Sequence, residues 1–431
     1  MIGYNIRNGR VYELMKIVNA VATEGLGGYY FDDLVAIKKG IQTDGMFLIG
    51  NPETKWHKKV RQAGETISIM LILENGNIAC GDCAAIQYSG VVGRDPILLS
   101  SIYKPIVEKY IFPFLIGKEL TSFKEMAQEV DNLKDNNGDI LHTGIRYGTS
   151  LAILDAVAQA TNRIPAEVIK DEYGTTPRET FIDVLAQSGD ERYTMVDKMI
   201  MKRVPAIPQG LFNNISKIGE DGSLLIEYVK WLKNRVRKFG EEDYVPTFHL
   251  DVYATIGKIF NNDVTKVANY LSDLSKAASP YPVRVEHPLE LHDRNSTIEI
   301  MSHLFDMIEQ KKIPVEICAD DWCNNLKDVQ DFADAQAAHM IQIKTPDLGS
   351  IHNSIEAVNY CKTKGIKTFL GGTCNETDLS SRLTVQAAIG INADMVYNKP
   401  GMGVDEGYMI VHNEIKRTLA LLKAKKEITS V

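Results

Sequence analysis

The chain has 431 residues, 44% of them hydrophobic, and a net charge of −8. Its length exceeds what one core usually fills, about 250–300 residues, so two domains are expected. The acidic balance argues against a general nucleic-acid binder, which needs a basic face to displace counterions. The longest apolar runs, such as residues 67–73, are far shorter than the ~20 residues of a membrane helix. The charged start lacks the apolar centre of a signal peptide, so a cytoplasmic location is expected. Six cysteines (Cys80, Cys83, Cys318, Cys323, Cys361 and Cys374) in so long a chain make no disulfide framework. Cys80 and Cys83 form a CxxC without a second pair, which reads as a strand-end turn rather than a zinc or redox site.

Residues 1–14 carry no strong period. A strand-like run, MKIVNAVA, starts at Met15 and leads into TEGLGGYYFDD, residues 23–33, whose glycines and aromatics predict a mobile loop. Residues 67–73, a turn at 74–77 and residues 78–84 predict a hairpin. Helical patterns follow from 100 to 160. Strands first and helices after predict an α+β unit over residues 1–170. Pro165, Gly174 and the TTPR segment mark a boundary within 162–178.

Beyond residue 179, short apolar strands alternate with longer helical stretches. Strands are expected at 181–187, 206–209, Thr247–Asp251, Val283–Glu286, 315–320, 340–344, 367–371 and 395–398. Helices are expected between them at 224–237, 264–277, 296–310, 326–338, 354–363 and 379–388. This order predicts an α/β fold, a (β/α)8 TIM-type barrel over 171–431, preceded by the N-terminal α+β unit. A doubly wound open sheet usually shows a glycine-rich phosphate turn after its first strand, and none follows Gln187.

The strand at 340–344 carries a candidate base. With a period of two, Gln342 and Lys344 share one face and Ile341 and Ile343 the other. A lysine at the carboxyl end of a barrel strand faces the active site. Partly dehydrated near a cation, it can lose its proton and act as a general base. Three preceding strands each end in an acid: Asp251 in TFHLDVY, Glu286 in VRVEHP and Asp320 in ICADDW. The intervals, 35 residues from 251 to 286 and 34 from 286 to 320, match one βα unit, which predicts three carboxylates at one height around the barrel mouth. Converging acids need a cation, and hard oxygen ligands without a histidine or cysteine cluster point to Mg2+. Asp320 is preferred over Asp321 because it shares the parity of Cys318 and ends the apolar run. His249, Arg284 and Cys318 fall one layer below, where Arg284 is expected to pair with the acids. Such a site suits removal of a proton beside a carboxylate, because a metal ion can hold the enediolate that results.

The segments CGDCAAIQYSGVVGRDP, LHTGIRY, AQSGDERY, FHLDVYATIG, ADDWCN, HMIQIKTPDLG, GGTCNET and KPGMGVDEG together resemble the 3-methylaspartate ammonia-lyases of the enolase superfamily. The resemblance runs from about Met15 to the C-terminus. It implies that Asp251, Glu286 and Asp320 bind Mg2+ and that Lys344 takes the C3 proton of L-threo-(2S,3S)-3-methylaspartate. Ammonia then leaves reversibly to give mesaconate. It further implies that Gln187, Gln342, Thr373 and the backbone at Cys374 hold the carboxylates and amino group of this small amino-acid substrate. K+ activation, a homodimer, and an N-terminal α+β capping domain that covers the barrel through residues 23–33 are implied as well.

Four positions depart from the family pattern. Gln209, in AIPQGLFNN, stands where the family has a histidine facing the lysine across the substrate. Glutamine cannot accept a proton at any working pH, so the L-threo isomer is expected to react, with little activity on L-erythro. Leu185, Phe369 and Tyr397 replace the usual phenylalanine, tyrosine and leucine around the substrate's side chain and amine. A different β-substituted aspartate is therefore the alternative substrate. A racemase or dehydratase would generally need the second base that Gln209 cannot be, and a non-catalytic barrel would be expected to lose a metal acid.

Overall fold

Fifteen strands and the helices between them make up the computed structural model, which describes residues 4–7, 10–13 and 15–429. β1 (Tyr4–Arg7) and β2 (Arg10–Glu13) pair antiparallel. β3 (Ile17–Asp32), β6 (Arg61–Leu73) and β7 (Ile78–Cys83) form a three-stranded antiparallel sheet, and β4 (Gln42–Asp44) and β5 (Phe47–Ile49) a short hairpin. The expected hairpin at 67–84 is the β6–β7 pair. Ile67, Ile69, Leu71 and Leu73 alternate inward from β6 and are buried. The helix Thr143–Ala160 lies against this sheet and is buried along most of its length. Glycines permit that approach: a Cβ on Gly81 would stand 2.3 Å from the backbone N of Ala152.

Residues 23–33, expected as a mobile loop, are instead largely the second half of β3, with a register shift between Leu26 and Tyr30. Their glycines serve contact, not motion. A Cβ on Gly28 would stand 2.5 Å from Pro400 Cβ, and one on Gly27 2.7 Å from the Asn375 carbonyl. The Gly28 N–H donates to Glu376 O at 3.2 Å, and Asn375 Nδ2 donates to Tyr30 O at 2.9 Å. The stretch thus seats the N-terminal sheet on loops at the barrel mouth. The expected boundary segment 162–178 contains the helix Pro165–Tyr173. Pro165 opens it, Glu167 accepts from the Ile164 N–H, and Gly174, at φ +64°, ends it.

Eight parallel strands close the barrel: β8 (Asp183–Leu185), β9 (Ala206–Ile207), β10 (Thr247–Asp251), β11 (Val283–Glu286), β12 (Val315–Ala319), β13 (Met340–Ile343), β14 (Lys367–Leu370) and β15 (Met395–Tyr397), which returns to β8. They fall where the apolar runs predict them, most of them shorter. The helices Ser223–Phe239, Val264–Ala278, Arg294–Lys311, Ile351–Thr363 and Asp378–Ile391 extend past the expected stretches, whereas Leu326–Asp334 stops short of 338. The expectation of equal height for the acids fails for one of them. Asp251 lies opposite Glu286, but Glu286 lies opposite Cys318, so Asp320 is two residues further along its chain. Closing a sheet into a barrel staggers its strands, which interval counting does not include. Among the described residues, no helix is long and apolar enough to cross a membrane.

Candidate active site

The carboxylates of Asp251, Glu286 and Asp320 meet at the C-terminal end of the barrel, one oxygen of each within 4.8 Å of the others. All three are buried. Glu286 is held from three sides. Gln209 Nε2 donates to its Oε2 at 3.0 Å, His249 Nε2 to the same oxygen at 2.7 Å, and Gln342 Nε2 to Oε1 at 2.9 Å. Asp321, the neighbouring acid, turns the other way and accepts from Arg94 Nη2 at 2.9 Å.

Burial, with repulsion from neighbouring acids, holds the three above the usual carboxylate range. Burial acts first on each. Glu286 and then Asp320 add to it at Asp251, which is pushed well up. Glu286 is pushed up to about 7 in spite of the Gln209 hydrogen bond, and Asp320 to about 6 in spite of Lys344. Three crowded, buried, hard oxygen donors short of positive charge fit Mg2+. A pH dependence follows. These acids have higher pKa values folded than unfolded, so between pH 4 and 7 the metal-free fold binds the extra protons and loses stability as pH rises. Mg2+ competes with those protons, and its affinity is expected to rise about tenfold or more from pH 5.5 to 8. Titration calorimetry at the two pH values checks this, and equal affinities would contradict it.

Lys344 follows β13 and is largely enclosed, its side chain 13% exposed, with Nζ paired with Asp320 Oδ1 and 3.7 Å from Asp321 Oδ1. The lowered pKa expected for a dehydrated lysine is not found. Burial pulls the amine down, but Asp320 chiefly, with Asp321 and Asp347, outweighs it and the opposing Arg94. The amine is therefore held above its ordinary value while Asp320 is free to pair with it.

Gln342, anchored through its Nε2, leaves Oε1 buried and without a partner. Gln187 Nε2 donates to Gly401 O at 2.8 Å. The Tyr397 hydroxyl faces two carbonyl oxygens, Gln187 Oε1 at 2.5 Å and Gln209 Oε1 at 2.6 Å, with one proton to give. The Thr373 N–H donates to Glu376 Oε2 at 3.0 Å, and Cys374 Sγ lies 3.7 Å from Gln87 Oε1. Leu185, Phe369 and Tyr397 join Cys318 in an apolar cluster inside the barrel. Arg284, expected beside the acids, pairs instead with Glu316 at 2.6 Å, because the two stand opposite each other on β11 and β12. Of the residues expected one layer below, His249 is the one that hydrogen-bonds Glu286.

Two contributors are absent from the sequence-based expectations. Arg94, in the segment GVVGRDP, crosses to the barrel and donates from Nε to Asp347 Oδ2 and from Nη2 to Asp321 Oδ1, both at 2.9 Å. Gln87 donates to Asp32 Oδ2 at 2.6 Å, an acid that Arg61 grips with two hydrogen bonds. The glycines before Arg94 and the Asp-Pro after it were the available signal, and they mark a turn without naming a partner.

A closed (β/α)8 barrel capped by an antiparallel sheet, with acids at three successive strand ends and a lysine on the next, defines an enolase-superfamily enzyme. Muconate lactonizing enzyme from Pseudomonas fluorescens shares the fold, with a TM-score of 0.58 at 14% identity over 88% of this chain and 86% of that one. Within that class, the chain belongs to the methylaspartate ammonia-lyase family of carbon–nitrogen lyases, whose N-terminal pattern matches residues 15–174 and whose C-terminal pattern matches residues 177–424. Methylaspartate ammonia-lyase of Clostridium tetanomorphum is 49% identical over 414 residues, 96% of this chain and 100% of the relative. The crystal structure of the β-methylaspartase from that organism, a Mg complex, aligns at a TM-score of 0.92 and 48% identity over 95% of this chain and all of that one. The Citrobacter amalonaticus enzyme, solved with (2S,3S)-3-methylaspartic acid, aligns at a TM-score of 0.93 and 44% identity, again over 95% of this chain and all of that one.

Proposed function

We propose that this enzyme eliminates ammonia from L-threo-3-methylaspartate to give mesaconate, reversibly, with Lys344 as the base. The observation that carries this is the meeting of the Lys344 amine with Asp320, one of three carboxylates gathered at a single point. Asp251, Glu286 and Asp320 would hold Mg2+, which when bound neutralises the negative charge that develops on the substrate carboxylate. Lys344 Nζ removes the C3 proton, the C3–H electron pair becomes the C2=C3 double bond, and the C2–N bond breaks to release ammonia. Gln342 Oε1, buried and unpaired, accepts from the substrate's ammonium group, its orientation fixed by the bond from Nε2 to Glu286. Gln187, Thr373 and the Cys374 N–H hold the distal carboxylate. K+ activation and the homodimer belong to the same reading and rest on the family resemblance, whereas the division at residue 170 rests on the change in strand and helix order and a cytoplasmic location on the sequence composition.

Gln209 is a donor to Glu286, the opposite of a base. The L-threo isomer is therefore expected to react at least about 100-fold faster than L-erythro, the scale of one general base. Comparable rates on the two isomers would reject the stereochemical claim. Purified protein with Mg2+, mesaconate and ammonium should show the ultraviolet absorbance of mesaconate falling. The Tyr397 hydroxyl, set beside Gln187 and Gln209 at the edge of the barrel's apolar cluster, favours a second reading, a substrate with a polar β-substituent. A screen of β-substituted aspartates separates the two, the winner being the compound with the highest kcat/KM.

A further inference from the structure

We propose that His287, Glu290 and Asp321 form a second cation site, suited to a borderline divalent ion such as Zn2+, beside the carboxylate triad. One ligand atom from each residue lies within 4.8 Å of the others. His287 is 3% exposed, and its Nε2 has no hydrogen-bond partner. The nearby Glu290 Oε2 is 3.9 Å away, too far for a hydrogen bond and close enough for one ion to bridge through two bonds of about 2.1 Å.

The two carboxylates are oriented from behind. Trp322 Nε1 donates to Glu290 Oε1 at 3.2 Å and Arg94 Nη2 to Asp321 Oδ1 at 2.9 Å, which leaves the second oxygen of each for a ligand. Both are about a quarter exposed, so an ion can enter from solvent. His287 is held at φ +51°, a conformation uncommon outside glycine, by its N–H donating to Cys318 O at 2.8 Å and its carbonyl accepting from Ala254 N at 2.7 Å. The positively charged groups facing the cluster are Arg94 and Lys344, both of them already paired with acids, and Asp320 adds a further negative charge beside it. With two carboxylates partly offset in this way, the imidazole decides the preference: a nitrogen ligand favours Zn2+, Mn2+ or Co2+ over Mg2+. Asp320 and Asp321 are consecutive and face opposite sites. An ion at the second site would thus restrain the backbone that presents Asp320 to the first.

The test is binding and is independent of the lyase assignment. Full-length protein is stripped with a chelator, then dialysed against micromolar Zn2+ with millimolar Mg2+ occupying the triad. One retained Zn2+ per chain is expected, with at least tenfold weaker retention in His287→Asn and in Glu290→Gln. Co2+ under the same conditions should give visible absorption bands that His287→Asn removes. Zinc lost in Asp251→Asn but retained in both variants places the ion in the triad and overturns the proposal, as does the absence of retained zinc.

Discussion

Lys344→Ala is expected to lower kcat for L-threo-3-methylaspartate by about 10^3-fold, within the range of a general base, while the barrel stays folded and Mg2+ binds as tightly or more tightly. The side chain leaves from the end of β13, where the Lys344 carbonyl still accepts from the Asp347 N–H at 2.9 Å, so the turn survives the change. Asp320 loses its ammonium partner and becomes a freer ligand, which is why metal affinity should not fall. Lys344→Arg separates two roles for the residue. A guanidinium retains the charge beside Asp320 but gives up no proton at working pH, so an equally inactive arginine variant identifies proton abstraction as the lost function. An arginine variant within tenfold of the native rate would mean that position 344 supplies charge alone. Turnover in the alanine variant within tenfold of native would mean that the base lies elsewhere.

The barrel was legible because buried parallel strands appear as short apolar runs between helical stretches. Thr247–Asp251 and Val283–Glu286 match to the residue. Strand parity also told which way side chains face, setting Asp320 apart from Asp321. It could not name neighbours. Arg284 faces inward as expected, yet its partner is fixed by the pairing of β11 with β12, which parity along one strand does not contain. Arg94 is further removed, since its partners lie 227 and 253 residues away. Glycines mislead for a related reason. The same GLGG composition suits a mobile loop or a backbone pressed against another, and only the Asn375 and Pro400 atoms on the far side decide which. The raised Lys344 pKa depends likewise on which carboxylates lie beside it, and on which of them a cation would claim.

Lys399→Met is expected to destabilise the fold by about 3–5 kcal/mol and to raise KM, through a buried network that anchors the loop bearing Thr373 and Cys374. Lys399 is 1% exposed and Glu376 is fully buried. Lys399 Nζ donates to Glu376 Oε2 at 2.7 Å, to Gly371 O at 2.8 Å and to Thr345 Oγ1 at 3.4 Å. Glu376 also accepts from the Tyr147 hydroxyl and from the Thr373 N–H. The pair therefore links the residues following β13, β14 and β15 to the helix Thr143–Ala160. Methionine fills the space but leaves the Glu376 charge buried without a counter-ion, which is the costly outcome. The loop bearing Thr373 and Cys374 then loses one anchor, and substrate affinity should fall more than kcat. Adding Glu376→Gln to Lys399→Met removes the orphaned charge and should recover about half of the lost stability. It should not recover KM, because the Gly371 carbonyl still lacks its donor. Urea unfolding with parallel kinetics reads both effects. A single variant within about 1 kcal/mol of native stability would show that this pair contributes no more than an exposed one.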